Sequence, residues 1–557
     1  MFAGNVLSIL RLAQYNRNLL VKDTVAGFTI FVMLVPQGMA YAVLAGLPPV
    51  YGLYVSTIPV IIYALFASSK HLSVGPVAIT SLLVVSGVSH YADPGTQDYI
   101  SLVVTLAIMV GVLQFLLGVM KAGAIVKFIS GAVMNGYIAA AAIVISLSQL
   151  NNILGIEAGG YLQIHLLLMN VVKNISSVHF LTLIIGISSI IIQLLLKKYC
   201  PRVPAALVVV LLSIFLVYFF QLHQKGVWIV GNVPEGLPSV TLPSIELSMI
   251  QNLFPIALTI SLIGFIESLS IGKAIAHQEK YKINPNRELI ALGLANITGS
   301  FFQGYPINGS FSRTAVNHQT GGVTQVSSIM TTIFVVITLM FFTSYFYYLP
   351  QAVLASIVMV AVSKLINIQQ MKTYFKVKRD DGWSWVITFV ITLMVGVKWG
   401  MIAGIIFSLL LLLKRSMLPN VKEIGYVADE QRFCDVRTAP SAKKFNNTMI
   451  IRIDSALHFA NISYVLEQIE KLYIHNRKIE FFILDMSSVN DIDTSAIDML
   501  KEFLGKLELE FSNSVMLVDM KESVNEVIRK RGWKVPLSYP SIKQVIDEKN
   551  LSIHTTD

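Results

Sequence analysis

From about Thr24 to Leu413 the chain is a succession of apolar runs separated by short polar turns, and this pattern fixes the solvent in which most of it folds. Hydrophobic residues make up 54% of the 557 positions and charged residues only 13%, for a mean hydropathy of +0.67. A soluble domain of ordinary surface-to-volume ratio does not carry so little charge, so this stretch belongs in lipid. It divides into about 14 segments, several too short to cross about 30 Å of hydrocarbon alone. The net charge of +10 would suit a nucleic-acid partner in a soluble chain. In a polytopic one it follows from Lys and Arg gathering in cytoplasmic turns, and we read it so and expect no nucleic acid.

The turns support that reading. With a cytoplasmic N-terminus, the inside turns hold Lys197 with Lys198, Lys280 with Lys282 and Arg287, Lys376 with Lys378 and Arg379, and Lys414 with Arg415, whereas the outside turns are nearly bare of cations. An even number of crossings then leaves both termini in the cytoplasm, in an inner or plasma membrane. Residues 1–22 lack a cleavage site and read as an interfacial segment on the inner leaflet. Two cysteines, Cys200 and Cys434, build neither a disulfide framework nor a thiolate metal site. Beyond a transmembrane region at 23–417 and a linker at 418–430, the apolar runs shrink to strand length in "TMIIRI", "EFFILDM" and "SVMLVD", with amphipathic stretches between them. Residues 431–557 therefore form a small α/β domain of about 120 residues.

Two places in the apolar region resemble each other. "FTIFVMLVPQGMAYAVLAG" is interrupted at Pro36 and Gln37, and "LTISLIGFIESLSIGKAIA" at Glu267 and Ser268. Each is followed about 40 residues later by a short segment introduced by glycine, "SVGPVAITS" and "NGSFSRTAV", and such pairs point to an inverted-repeat transporter with a site at the membrane midplane. A helix that starts inside the membrane aims unpaired N–H groups and a partial positive charge at whatever lies before it. Two such starts face to face suit an anion. Pro76 has no N–H to lose near the first turn, Ser310 and Ser312 add hydroxyl donors, and Arg313 supplies a charge and a planar fork. The alternative is an arginine that snorkels to the headgroups and serines that bond back onto the previous turn.

"LVPQGMAYAVLAGLPPVYGLY", "SKHLSVGPVAITSLL" and "GSFSRTAVN" resemble signature stretches of the SulP sulfate permease family, relatives of prestin and pendrin, and the tail resembles their STAS domain. The resemblance implies a homodimer in the lipid bilayer, a seven-plus-seven inverted repeat with two half-helices, and elevator-like alternating access between a mobile core and a gate. It places the anion on Gln37 and Tyr41, on Pro76, Val77 and Ala78, and on Ser310, Phe311, Ser312 and Arg313. Tyr41 stands where some members have phenylalanine, so its hydroxyl either bonds the ligand or belongs to a core aromatic. "GSFSR" is similar to the plant-type sulfate permeases, which favours sulfate over bicarbonate, chloride or a dicarboxylate.

Glu267 is the second functional candidate. A carboxyl within an apolar segment is costly if charged, so it is expected to be neutral for much of the time or paired with a cation. By resemblance this is the coupling-ion position, and a glutamate there implies a coupling proton; Ile271, one turn on, offers sodium no oxygen. The competing reading is an ion pair with Arg313 that neutralises both. In the tail, Asp493 before Thr494 and Ser495 reads as a helix N-cap, while the resemblance makes Ser495, with Thr494 beside it, a possible phosphoacceptor read by a cytoplasmic regulator. No catalytic triad, cofactor motif or metal cluster occurs in the sequence, so an enzyme is not expected. An anion-sensing membrane receptor signalling through the tail is the alternative from another class.

Overall fold

The computed structural model describes residues 15–551 except 125–129, 157–163, 201–202, 243–246, 428, 430, 475–478, 511–513 and 536. Two compact units emerge, Met1–Ser408 and Leu409–Asp557. The first is helical and has two halves. The first half runs α1 (Arg17–Leu44), α2 (Val50–Tyr54) and α3 (Ile58–Phe66), β1 (Val74–Gly75), α4 (Ala78–Val88), α5 (Gln97–Val119), α6 (Gly131–Ser148) with α7 (Leu150–Leu154), α8 (Ile164–Lys173), α9 (Phe180–Tyr199) and α10 (Ala205–Phe219). The second runs α11 (Leu247–Gln278), α12 (Pro285–Phe301), β2 (Asn308–Gly309), α13 (Phe311–Gln319), α14 (Val326–Phe341), α15 (Gln351–Val362), α16 (Gln369–Val377), α17 (Arg379–Met394) and α18 (Val397–Met417).

The two lists match in order, with α2–α3 counterpart to α12 and α6–α7 to α15. Packing follows the same correspondence: α1 lies on α14 as α11 lies on α5, and α6 lies on α17 as α15 lies on α9. Setting aside the short α8 and α16, which bury only Leu167 between them, each half supplies seven spans among the described residues. Among the described residues, seven helical stretches are long and apolar enough to cross a membrane unaided, Arg17–Leu44 and Gln97–Val119 among them.

Three expectations need correction. Pro36 and Glu267 do not interrupt their segments: α1 is continuous for 28 residues through Pro36, and α11 for 32 through both Pro255 and Glu267. Neighbouring helices and local adjustments re-satisfy the backbone groups a proline frees, so its presence does not by itself end a membrane helix. At the N-terminus, residues 1–14 lie outside the described residues, and from Arg17 the supposed interfacial segment is the first part of α1, capped by the Asn16 side chain accepting from Leu19 N at 2.9 Å. Lastly, the supposed linker 418–430 contains a strand, β3 (Val421–Val427), which belongs to the sheet of the second unit because its backbone pairs on both edges.

That sheet is completed by β4 (Arg432–Asp435), β5 (Thr448–Ile453), β6 (Phe481–Asp485), β7 (Val515–Val518) and β8 (Ser538–Tyr539), in the order β4-β3-β5-β6-β7-β8. From β5 to β8 the pairing is parallel, and β3 is antiparallel to both of its neighbours. Side chains alternate across it as a pleated strand requires. Met449, Ile451, Phe482, Leu484, Val515 and Leu517 join one core with α19 (Ile462–Ile474), α20 (Thr494–Glu510) and α21 (Glu522–Lys530). Ile450, Ile483, Met516 and Val518 face the other way, toward α22 (Ile542–Glu548).

Candidate functional site

β1 and β2 are two residues each, and they build the site by placing two helix starts side by side. They pair antiparallel, Val74 opposite Gly309 and Gly75 opposite Asn308, and Ser310 N donates to Ser73 O at 2.9 Å. α4 leaves one strand and α13 the other, so each begins at the ladder with its first-turn N–H groups free of intrahelical partners. Val77 and Ser310 occupy the N-cap positions in extended conformation, and neither side chain bonds the cap. Pro76 thus stands directly before the cap of α4. Gly75 has φ +152°, and a Cβ there would lie 3.2 Å from Arg313 Nη2, so a side chain would be strained and would crowd the guanidinium.

Arg313 is fully buried, which removes the snorkelling alternative. Its Nη1 donates to Pro76 O at 2.9 Å, while Nε and Nη2 have no partner. Tyr41 and Tyr305, both buried, are within electrostatic reach of the guanidinium. Glu267 Oε2 is likewise buried and unbonded, and among the described residues no ion pair joins it to Arg313. Tyr41 is within reach of both charges. Gln37, one helical turn before Tyr41 on α1, is buried with Oε1 unpaired. Buried polar atoms without partners are uncommon in native proteins, and a cluster of them around a guanidinium marks a place made for something that supplies the partner.

The remaining expected residues divide. Val77 and Ala78 are buried at the start of α4. Ser310 is buried with its Oγ 3.4 Å from that of Ser312, but Phe311 is 60% exposed and Ser312 is exposed, so α13 turns them away from the face that buries Arg313. The geometry follows from the helical period: residues two apart do not share a face.

Several residues that sequence reasoning missed hold this arrangement in place. Asn308 Nδ2 donates to Thr80 Oγ1 at 2.9 Å, tying the start of α4 to β2, and its side chain fills the space where a Cβ at Gly264 would fall. Ser268, next to Glu267, accepts from Gly309 N at 2.8 Å, so α11 is fixed to the ladder beside its carboxylate. Asn296 accepts from Ile307 N at 2.8 Å and donates to Ile307 O at 3.2 Å. Two buried carboxylates anchor the flanking loops. Glu288 accepts from Ser68 N, Ser69 N and the hydroxyls of Ser68 and Tyr63; Asp23 accepts from Val323 N, Thr324 N and the hydroxyls of Thr324 and Tyr15. An acid set near a segment end reads as solvated in sequence, and only the fold shows the donors converging on it.

In the second unit Asp493 Oδ1 accepts from Ala496 N at 2.8 Å and Oδ2 from Phe459 N at 2.8 Å, the N-cap expected for α20. Thr494 and Ser495 are exposed in the first turn. No group of three or more His, Cys, Asp or Glu among the described residues could hold a metal ion.

Comparison with known proteins places these features in a lineage. Residues 20–388 match the model of the Sulfate permease family, and residues 439–538 match the STAS domain. Sulfate transporter 4.1, chloroplastic, of Arabidopsis thaliana is 36% identical over 86% of this chain and 72% of its own length. Probable sulfate transporter Rv1739c of Mycobacterium tuberculosis is 30% identical over 94% of each chain. Among solved structures, the murine Solute Carrier 26 family member A9 anion transporter in the inward-facing state superposes with a TM-score of 0.88 at 25% identity, covering 98% of this chain and 93% of that one. The chain therefore belongs to the sulfate permease family and pairs a polytopic helical membrane domain with a STAS domain.

Proposed function

We propose that the protein is a secondary active carrier of an inorganic anion, that the anion is sulfate, and that uptake is coupled to protons through Glu267. The observation that carries this reading is the fully buried Arg313, set where two half-helix starts meet, with two of its donor nitrogens unpartnered. A tetrahedral oxyanion supplies the missing acceptors, and the two helix N-termini together with a guanidinium replace its hydration. The names of the relatives, sulfate transporters from a plant and a bacterium, support sulfate as the substrate. Residues Gln37, Tyr41, Val77, Ala78, Ser310 and Arg313 surround the anion, and Phe311 and Ser312 face its route of entry.

Coupling is assigned to Glu267, whose buried Oε2 is unbonded and which shares Tyr41 with Arg313 as a common electrostatic neighbour. A charged Glu267 competes with the anion for one positive charge, so protonation of Glu267 favours anion binding, and by linkage the bound anion favours protonation. The carrier thereby moves proton and anion together. α1–α5 with α11–α14 form the moving body in an elevator-like exchange, and α6–α10 with α15–α18 the fixed frame of a homodimer. The Ser495 hydroxyl, exposed at a helix N-terminus, is the position for regulatory phosphorylation. Purified protein in liposomes, given labelled sulfate with competing chloride, bicarbonate and dicarboxylates and with or without a pH gradient, tests the reading. Saturable, gradient-driven sulfate uptake supports it; tight sulfate binding without flux would make the protein an anion receptor.

A further inference from the structure

Tyr305 lies in the extended segment between α12 and β2. The segment is clamped on both sides of it: Gly304 N donates to Gly299 O at 2.8 Å, and Ile307 is bonded through both backbone groups to Asn296. The ring is 2% exposed, so it has no freedom to seek water, and its hydroxyl has no hydrogen-bond partner. A buried tyrosine usually finds one, and a ring needed only for packing would be served by phenylalanine. The guanidinium of Arg313 and the neutral phenol of Tyr41 lie within electrostatic reach, and Ser81 Oγ is close enough to interact with the hydroxyl although neither makes a hydrogen bond of normal geometry.

The unpartnered groups gathered here are rich in donors. Arg313 Nε and Nη2 can only donate, and the hydroxyls of Tyr305 and Ser81 each bring a proton. The unpartnered acceptors of the site, Gln37 Oε1 and Glu267 Oε2, meet none of these donors, which a ligand with several acceptor oxygens would take up together. A guanidinium fork engages two oxygens of a tetrahedral oxyanion and leaves two, whereas a halide is a single centre that the fork satisfies alone. We propose that the Tyr305 hydroxyl donates to an oxygen that Arg313 does not reach, and so makes the site prefer a tetrahedral oxyanion to chloride. This rests on the anion role given to Arg313 above and adds to it the residue that sets selectivity.

The test is Tyr305→Phe, which keeps the ring and removes only the hydroxyl. Sulfate and chloride binding to purified full-length protein are measured by calorimetry beside its thermal melting, with Arg313→Ala in parallel. Sulfate affinity is expected to fall roughly tenfold and chloride affinity less than about twofold, as for loss of one hydrogen bond to a charged acceptor. The melting temperature without sulfate is expected to hold or rise, because an unbonded buried hydroxyl is lost. Sulfate affinity within about twofold of wild type, an equal loss for both anions, or a lower melting temperature without sulfate would overturn the proposal and make the hydroxyl structural. If Arg313→Ala loses sulfate while Tyr305→Phe does not, the selectivity role falls and the anion site stands; if wild type binds no sulfate, both fall.

Discussion

Replacing Arg313 with alanine separates a binding arginine from a structural one, because the two roles move affinity and stability in different directions. The side chain makes one hydrogen bond within the protein, Nη1 to Pro76 O at 2.9 Å, and its Nε and Nη2 have no protein partner within a fully buried site. When an oxyanion fills those donors, each contact is charge-assisted and contributes about 1.5–3 kcal/mol. Counting only one of them, since neighbouring contacts do not add, the substitution weakens sulfate binding roughly ten- to a hundredfold. Folding is affected differently. The Pro76 carbonyl loses its partner at a cost of about 1–3 kcal/mol, but a buried cation with a single partner also disappears, and its desolvation is itself worth several kcal/mol. The expected signature is thus a large loss of sulfate affinity with melting unchanged or raised. Arg313→Lys, which keeps the charge and loses the fork, is expected to fall between the two. Calorimetric titration of sulfate beside thermal melting reads both quantities. Affinity within about threefold of wild type together with a lower melting temperature would make Arg313 a peg that fastens α13 to β1, and the anion site would have to lie elsewhere.

Other expected outcomes follow from single contacts. Glu267→Gln keeps the shape and bonding of a protonated glutamate but cannot release a proton, so sulfate binding persists and loses its pH dependence while gradient-driven accumulation stops; affinity measured against pH for both proteins checks it. Glu288→Gln turns an amide toward donors that a carboxylate satisfied, and is expected to destabilise the membrane unit by about 2–4 kcal/mol, seen as a lower melting temperature. Asp493→Ala removes the N-cap of α20 at a cost of about 1 kcal/mol locally, and should speed amide exchange at Ala496 in the full-length protein.

Much of this architecture is legible in the chain because lipid imposes strict rules on it. Run length, the cations of the turns and the two short segments lead to a polytopic helical domain, and the change to strand-length runs leads to the α/β tail. Arg313 stands out because a guanidinium in an apolar context needs a reason, and the fold supplies its burial. Proline 36 misleads for a physical reason: local chain rules weigh a missing N–H, but neighbouring helices compensate for it. The strand at Val421–Val427 bears Lys422 and Glu423 and carries no continuous apolar run, so its text looks like a linker until its two partners are seen. Tyr305, Asn308 and Asn296 are invisible for another reason. Tyr305 and Asn308 lie in a glycine-containing stretch that carries no periodicity, Asn296 is a lone amide inside α12, and their meaning lies in partners elsewhere in the chain or, for Tyr305, in the absence of one.

The central claim is that a proton gradient drives sulfate through a site built on Arg313 and gated by Glu267. Proteoliposomes holding wild-type or Glu267→Gln protein, given labelled sulfate under an imposed inward proton gradient, test it most directly. Wild type is expected to concentrate sulfate above its equilibrium level and to lose the accumulated excess when the gradient is collapsed, and the variant only to equilibrate it or not move it at all. Wild-type accumulation that ignores the gradient, or a variant that still concentrates sulfate under it, would contradict the account.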